Sequence, residues 1–328
     1  MSEHPSTPAT AGRRRLSSTD VLAGVLLVAL VGHPALASLT GSPAARAWAT
    51  VFVAVCVQAL PFLVLGVLVS AAISVFVPAS ALSRLLPANP VTAVPVAGLA
   101  GVLLPGCECS SVPVARGLIA RGVPPPVALA FLLSAPAVNP VVLVATAVAF
   151  PGRPEMVLAR FLASLGAAVI VGWIWVGAGR PEWLARRPRP PHEGLSRAEA
   201  FRADALHDVA QGGGLLVVGA MAAATLAVAL PADVLDAVAS RPWLAVVALA
   251  GLAVVLAVCS EADAFVAAGL TQFPLTARLA FLVVGPMVDV KLIALQAGTF
   301  GRSFVTRFPP LTFAVAVACA VAVGGVLL

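Results

Sequence analysis

Two short stretches of an otherwise apolar 328-residue chain gather side chains that could do chemistry: Cys107-Glu108-Cys109-Ser110 and, further on, Cys259-Ser260-Glu261-Ala262-Asp263. Thiolates are soft ligands suited to Cu(I), zinc and thiophilic metalloids. Cys107, Cys109 and Cys259 are therefore a candidate metal or metalloid site if the two stretches face one another. Small buried cysteines also pack without reacting, the reading for Cys56 and Cys319, which lie in plain apolar runs. The carboxylates Glu108, Glu261 and Asp263 are joined by Asp289 and by Lys291, the only lysine in the chain. Each ionisable group at membrane depth costs about 2.5–3.5 kcal/mol, so a chain keeps one only where it is paired, hydrated or used. At helical spacing residues 289 and 291 point about 200° apart, so Lys291 is expected to pair with Glu261 or Asp263. Such a pair either locks parts of the molecule together or serves as a proton or cation coupling site.

The elements that position these groups occur twice. A shift of 150 residues aligns Cys109-Ser110 with Cys259-Ser260, Pro124 with Pro274, Ala130-Phe131-Leu132 with Ala280-Phe281-Leu282, Pro136 with Pro286 and Asn139 with Asp289. Between Val94 and Phe150 it gives 15 ungapped identities in 57 positions, where composition alone would give roughly six. The matches include Cys, Pro and an Asn/Asp position, residue types an apolar helix does not carry idly. Pro105-Gly106 breaks the first Cys-containing stretch, and Pro136, Pro140 and Pro286 interrupt the helices that follow. A proline removes a backbone donor and frees a carbonyl one turn back. Asn139 and Asp289 stand beside these openings, and with Cys107, Glu108, Cys109, Ser110, Cys259 and Ser260 they form the candidate substrate site. Glu261, Asp263 and Lys291 are the candidate coupling or ion-pair residues.

Sixty per cent of the residues are hydrophobic and 10% are charged, a composition that cannot give a soluble protein of this size its polar skin. The expected class is an all-α polytopic membrane protein of two inverted repeats with interrupted or re-entrant helices, the construction typical of transporters. The net charge of +6 comes from arginines at 13–15 and between Arg180 and Arg202. Beside apolar spans such clusters mark the cytoplasmic side rather than a nucleic-acid surface.

Residues 1–18 read as a disordered cytoplasmic tail and 19–178 as the first membrane repeat with an extra N-terminal span. Residues 179–206 read as an Arg/Pro-rich cytoplasmic linker and 207–328 as the second repeat. The run Val21–Val31 is either an uncleaved span or a signal peptide ending at Ala35-Leu36-Ala37. Trp48–Val77, Pro124–Phe150, Met156–Ala178, His207–Leu230, Phe273–Phe300 and Phe308–Leu328 are long enough to cross, whereas Val91–Leu104 and Trp243–Cys259 stop short. If 91–121 dips in and returns, four crossings separate the two basic segments and the halves are inverted. Arg302 and Arg307 then lie inside, while Arg153, Arg241 and Arg278 fall outside, against the charge rule. Nine full crossings are the alternative.

Histidines lie only at 4, 33, 192 and 207, outside the spans or at their ends, and none of H-E-x-x-H, G-x-S-x-G or the Walker G-x-x-x-x-G-K-[ST] occurs. These absences argue against a His-lined metal path, hydrolase chemistry and an ATP-driven pump. No cofactor is called for.

At Gly106-Cys107-Glu108-Cys109 with Val112-Pro113-Val114-Ala115-Arg116-Gly117, at Pro136 with Asn139-Pro140, at Cys259 to Phe265 and at Gly285 to Lys291, the sequence resembles the predicted permease family that includes the organoarsenical efflux permeases (ArsP or YraQ-like permeases). The resemblance runs from about Gln58 to Phe313. It implies a bacterial inner-membrane permease that exports a small thiophilic or cationic solute by thiol contacts, in some members beside a small accessory membrane protein. Glu108 departs from it, standing where a small residue is expected, and suits a cationic cargo. The expected function is efflux of an organoarsenical, metalloid or metal ion by alternating access. Its partners are the bilayer and the solute, its N-terminus is cytoplasmic, and it is not an enzyme. The alternatives are a membrane thiol oxidoreductase cycling Cys107 and Cys109 through a disulfide, and a permease subunit that needs an accessory membrane protein.

Overall fold

Prolines begin helices throughout the chain. In the computed structural model, which describes residues 43–76, 87–103, 108–184, 196–229 and 241–328, Pro90, Pro125, Pro140, Pro154 and Pro242 each occupy the first helical position, where the missing N–H has no partner to lose. Thirteen helices result among the described residues: α1 (Pro43–Phe76), α2 (Pro90–Ala100), α3 (Glu108–Ala120), α4 (Pro125–Val138), α5 (Pro140–Ala149), α6 (Pro154–Ala178), α7 (Arg197–Ala229), α8 (Pro242–Leu256), α9 (Asp263–Gly269), α10 (Leu275–Val284), α11 (Val290–Phe300), α12 (Arg302–Val305) and α13 (Phe308–Leu327). No strand occurs among the described residues. The chain is an all-α polytopic membrane protein. Among the described residues five segments are long and apolar enough to cross a bilayer: Pro43–Ile73, Pro125–Ala149, Pro154–Ala178, Ala198–Ala229 and Arg302–Leu327. The expected tail and N-terminal span lie outside the described residues, as do Pro105, Gly106, Cys107 and residues 185–195 of the expected linker.

The first six helices recur in order as α7, α8, α9, α10, α11 and α13, each starting within five residues of the 150-residue shift. Packing follows the duplication. Helix α2 lies on α4 as α8 lies on α10, and α4 lies on α6 as α10 lies on α13. Two pairs join repeat counterparts directly, α1 with α7 and α6 with α13. Three further contacts cross between the halves: α3 meets α11, their counterparts α9 and α5 meet each other, and α6 meets α10. The two seams are covered unequally. Helices α1 and α7 lie against α3 and α11, whereas on the counterpart seam Val141, Val144 and Val148 of α5 and Phe265 of α9 are exposed.

One end of the expected linker is helical. Helix α7 starts at Arg197 because Ser196 and Glu199 form a reciprocal cap: the Ser196 N–H donates to Glu199 Oε2 at 2.8 Å and the Glu199 N–H donates to Ser196 Oγ at 3.3 Å. Its polar first turns are tied to the bundle where Arg116 of α3 donates to Asp208 at 2.9 Å.

Glycines set how closely the α1–α7 pair approaches the seam. A Cβ at Gly66 would lie 2.5 Å from Ser110 Cα of α3, and one at Gly219 would lie 2.6 Å from Lys291 Cα of α11. Alanine at either position therefore forces the backbones apart, an overpacking cost of about 1–3 kcal/mol. Gly66→Ala and Gly219→Ala are expected to lower the unfolding temperature in detergent. Gly213→Ala, on α7 with nothing within 4 Å of its Cβ position, should leave that temperature unchanged or raise it. Equal behaviour of the three variants would show that the seam is not closely packed.

Candidate functional site

Four helix ends meet where the halves cross. Helix α4 stops at Val138 because Pro140 cannot continue it, and Asn139, extended at φ −68°, ψ 154°, caps α5 by accepting from the Val142 N–H at 3.0 Å. Its amide nitrogen donates to the Ala135 carbonyl at 3.1 Å. Asp289, also extended (φ −142°, ψ 167°), caps α11 by accepting from the Leu292 N–H at 2.6 Å. The Ala135 carbonyl, near the end of α4, is thus taken by the Asn139 side chain. Pro136 lies inside α4 without ending it, and Pro286 lies in the turn between α10 and α11.

The other two ends carry Glu108, in the first turn of α3, and residues Ala257–Ala262 before α9. Ala257 closes α8 at φ 49°, ψ 39°, the only non-glycine at positive φ among the described residues. A left-handed alanine is strained by roughly 1–2 kcal/mol. Here that conformation leaves its carbonyl accepting from Lys291 Nζ at 2.7 Å.

Lys291 is the hub. Its ammonium lies 2.5 Å from Glu108 Oε1 and 3.6 Å from Asp289 Oδ2, and Ser260 Oγ donates to Glu108 Oε2 at 3.4 Å. Glu108, Asp289 and Ser260 are fully enclosed and Lys291 is 2% exposed. This corrects the expected pairing of Lys291 with Glu261 or Asp263. Its partners are Glu108 from the other half and Asp289 from its own. The helical-wheel argument fails for Asp289 because that residue caps the helix in extended conformation and is not part of it. Asp263 instead belongs to Arg160 of α6, which donates to Asp263 Oδ2 at 2.8 Å, to the Ser260 carbonyl at 3.2 Å and to Thr146 Oγ1 at 2.8 Å. Glu261 is half-buried beside this pair, with Oε2 accepting no hydrogen bond.

Cys109 and Cys259 share one buried apolar cluster with Leu63, Val67 and Leu216 of the α1–α7 pair. Both lie within electrostatic reach of the Lys291 ammonium. Ser110 is packed beneath Gly66. The sequence-predicted residues thus gather at the buried crossing: Glu108, Cys109, Cys259, Ser260 and Asp289 around Lys291, and Glu261 and Asp263 around Arg160, while Ser110 packs against Gly66 of α1. The third candidate sulfur, Cys107, is outside the described residues. Among the described residues no three His, Cys, Asp or Glu side chains are gathered closely enough to hold a metal ion. Toward one end of the seam Arg116 and Asp208, with Leu63, Val67, Pro113 and Thr299, line a cavity of about 20 Å³, about two turns along α3 from Glu108.

Sequence reasoning passed over Arg160, reading 156–178 as an unbroken span. An arginine inside an apolar segment was signal enough, but its position 150 residues on is Pro310, so the duplication did not mark it.

Residues 45–325 match a family described as predicted permease. The UPF0718 protein YcgR of Bacillus subtilis (strain 168) is 34% identical over 263 residues, covering 78% of this chain and 90% of the relative. A Streptococcus mutans protein provisionally named as a subunit of a two-component membrane permease complex is 30% identical over 268 residues, covering 79% of this chain and 88% of its own. No solved structure matches the chain.

Proposed function

The chain belongs to the predicted permease family, and from that premise we propose that it exports a small thiophilic or cationic solute by alternating access through the centre around Lys291. One observation carries the reading: the Lys291–Glu108 ion pair joins the two repeats between their broken helices, away from water. A buried ion pair is weak evidence for stability, since apolar packing would serve as well or better. Its retention at a repeat interface, with Cys109 and Cys259 beside it, fits a site that opens to one side of the membrane at a time. In this reading α2–α3 and α8–α9 are hairpins that enter and return, the halves are inverted, and the N-terminus is cytoplasmic in a bacterial inner membrane. Covering of the α3/α11 seam by the α1–α7 pair, with the α5/α9 seam left open, is the asymmetry an alternating mechanism requires. The proton gradient, acting on a buried carboxylate, supplies the energy. The naming of the Streptococcus relative as a complex subunit supports an accessory membrane protein as a partner.

The test is flux in reconstituted vesicles across a panel of trivalent arsenicals and divalent metals. Wild-type protein is expected to move at least one of them in a maleimide-sensitive manner. Cys109→Ser and Cys259→Ser are expected to lose roughly tenfold or more of that flux, the scale of one lost ligand contact. Flux unchanged in both variants removes the thiols from the mechanism.

A further inference from the structure

Helices α3 and α11 leave the charged centre side by side. Glu108 and Lys291 meet at one end, and about 12 Å further along both helices Arg116 of α3 and Thr299 of α11 line one small cavity with Asp208 and Gln211 of α7. Its volume of about 20 Å³ is room for a single water. Leu63 and Val67 of α1 line the same cavity and also pack with Cys109 and Cys259, so it lies between the thiols and the start of α7. Water is nearer at this end: Glu108 is enclosed, Arg116 is partly exposed and Ala120 is exposed. The cavity is bridged by polar contacts alone between α7 and its neighbours. Arg116 Nη1 donates to Asp208 Oδ1 at 2.9 Å, and Gln211 Nε2 donates to the Gly298 carbonyl of α11 at 3.1 Å. Each partner of the ion pair also stands beside a weakened helix. Pro113, one turn before Arg116 inside α3, removes the donor that would close on the Cys109 carbonyl. Gly212, Gly213 and Gly214, one turn after Asp208, lie inside α7, where glycine is the poorest helix former after proline.

We propose that the Arg116–Asp208 ion pair is a gate between the Lys291 centre and the water at the start of α7, and that it opens as α3 and α7 part at Pro113 and Gly212–Gly214. An ion pair at the edge of water suits that task. Both ions regain hydration as they separate, so the pair opens and re-forms at small net cost, whereas an apolar plug of the same size would have to expose its surface each time. Opening admits water and solute past Leu63 and Val67 to Cys109. The solute rests on the permease reading, but the gate is a property of access to Cys109 and is measured without transport.

The test is the rate at which a maleimide alkylates Cys109 in the purified full-length protein in detergent, followed residue by residue by mass spectrometry, with Cys56 and Cys319 as references. Arg116→Ala is expected to speed the reaction at Cys109 about tenfold or more, the scale of stranding one partner of a charged hydrogen bond, and to leave Cys56 and Cys319 unchanged. Arg116→Lys, which keeps the charge for a single N–H···O contact, is expected to stay near wild type. Gly213→Ala, whose added methyl meets nothing within 4 Å, stiffens α7 and is expected to slow Cys109 about fivefold, the helix-propensity difference expressed as an equilibrium constant. If Arg116→Ala yields no folded protein, Arg116→Gln, which keeps a donor without the charge, carries the same comparison. A Cys109 rate indifferent to loss of the arginine overturns the proposal, as does a lysine variant as fast as the alanine one. Equal acceleration of all three cysteines also overturns it, by making the pair a tie that holds the whole fold. An unchanged rate in Gly213→Ala overturns the hinge in α7. Gated access to Cys109 without flux of any solute in vesicles would leave the gate standing and remove transport; thiol-sensitive flux with Cys109 indifferent to the pair would do the reverse.

Discussion

Lys291→Met will lose most of its folded population in detergent and all of its transport, while Glu108→Gln/Lys291→Met will recover much of the stability and none of the transport. The single change leaves a fully enclosed glutamate beside Asp289 with no cation near, and breaking a buried pair from one side costs about 3–5 kcal/mol. Neutralising both partners removes that penalty. On the counterpart seam the equivalents of Glu108 and Lys291 are the apolar Val258 and Val141. Thermal unfolding and vesicle flux on the three proteins separate the two roles. A double variant as unstable as the single would make the pair a structural lock, and a double variant that still transports would exclude it from the site.

The second large effect belongs to Arg160. Its guanidinium is fully buried and ties three elements together: Thr146 of α5, the Ser260 carbonyl before α9, and Asp263 in the first turn of α9. Arg160→Met strands the Asp263 carboxylate and is expected to cost about 3–5 kcal/mol. Asp263→Asn keeps an acceptor for the arginine and is expected to cost less. Because Arg160 holds the backbone next to Cys259, its loss should also speed alkylation of that thiol, which is 2% exposed. A faster reaction at Cys259 with Cys109 unchanged would place the loosening at the second break. Uniform acceleration would mean global unfolding.

The duplication made most of the architecture legible. Helices α4 and α5 and their counterparts α10 and α11 begin where the prolines and the Asn139/Asp289 alignment place them, because a residue with no N–H and a side-chain cap act locally. The convergence of Glu108, Cys109, Cys259 and Lys291 was legible for the same reason, since repeat-related breaks face one another across the interface. Which acid takes which base was not. Glu108 and Arg160 have apolar or proline counterparts, so the repeat is silent about them, and the pairing depends on how α6 and α11 reach the centre from opposite sides. The extended backbone at Asp289 also reverses an expectation drawn from helical spacing. Helix α7 ran past the expected linker boundary because its capping box lies among arginines, where charge density reads as linker.

The contacts of α1 with α7 and of α6 with α13 join equivalent helices, the arrangement two copies of a single half would adopt as a homodimer. In such an ancestor every feature comes in pairs. Two first halves would carry Glu108 twice and offer Val141 to each; two second halves would carry Lys291 twice and offer Val258. A homodimer of either present half would therefore lack the ion pair, which exists because the two halves differ at these positions.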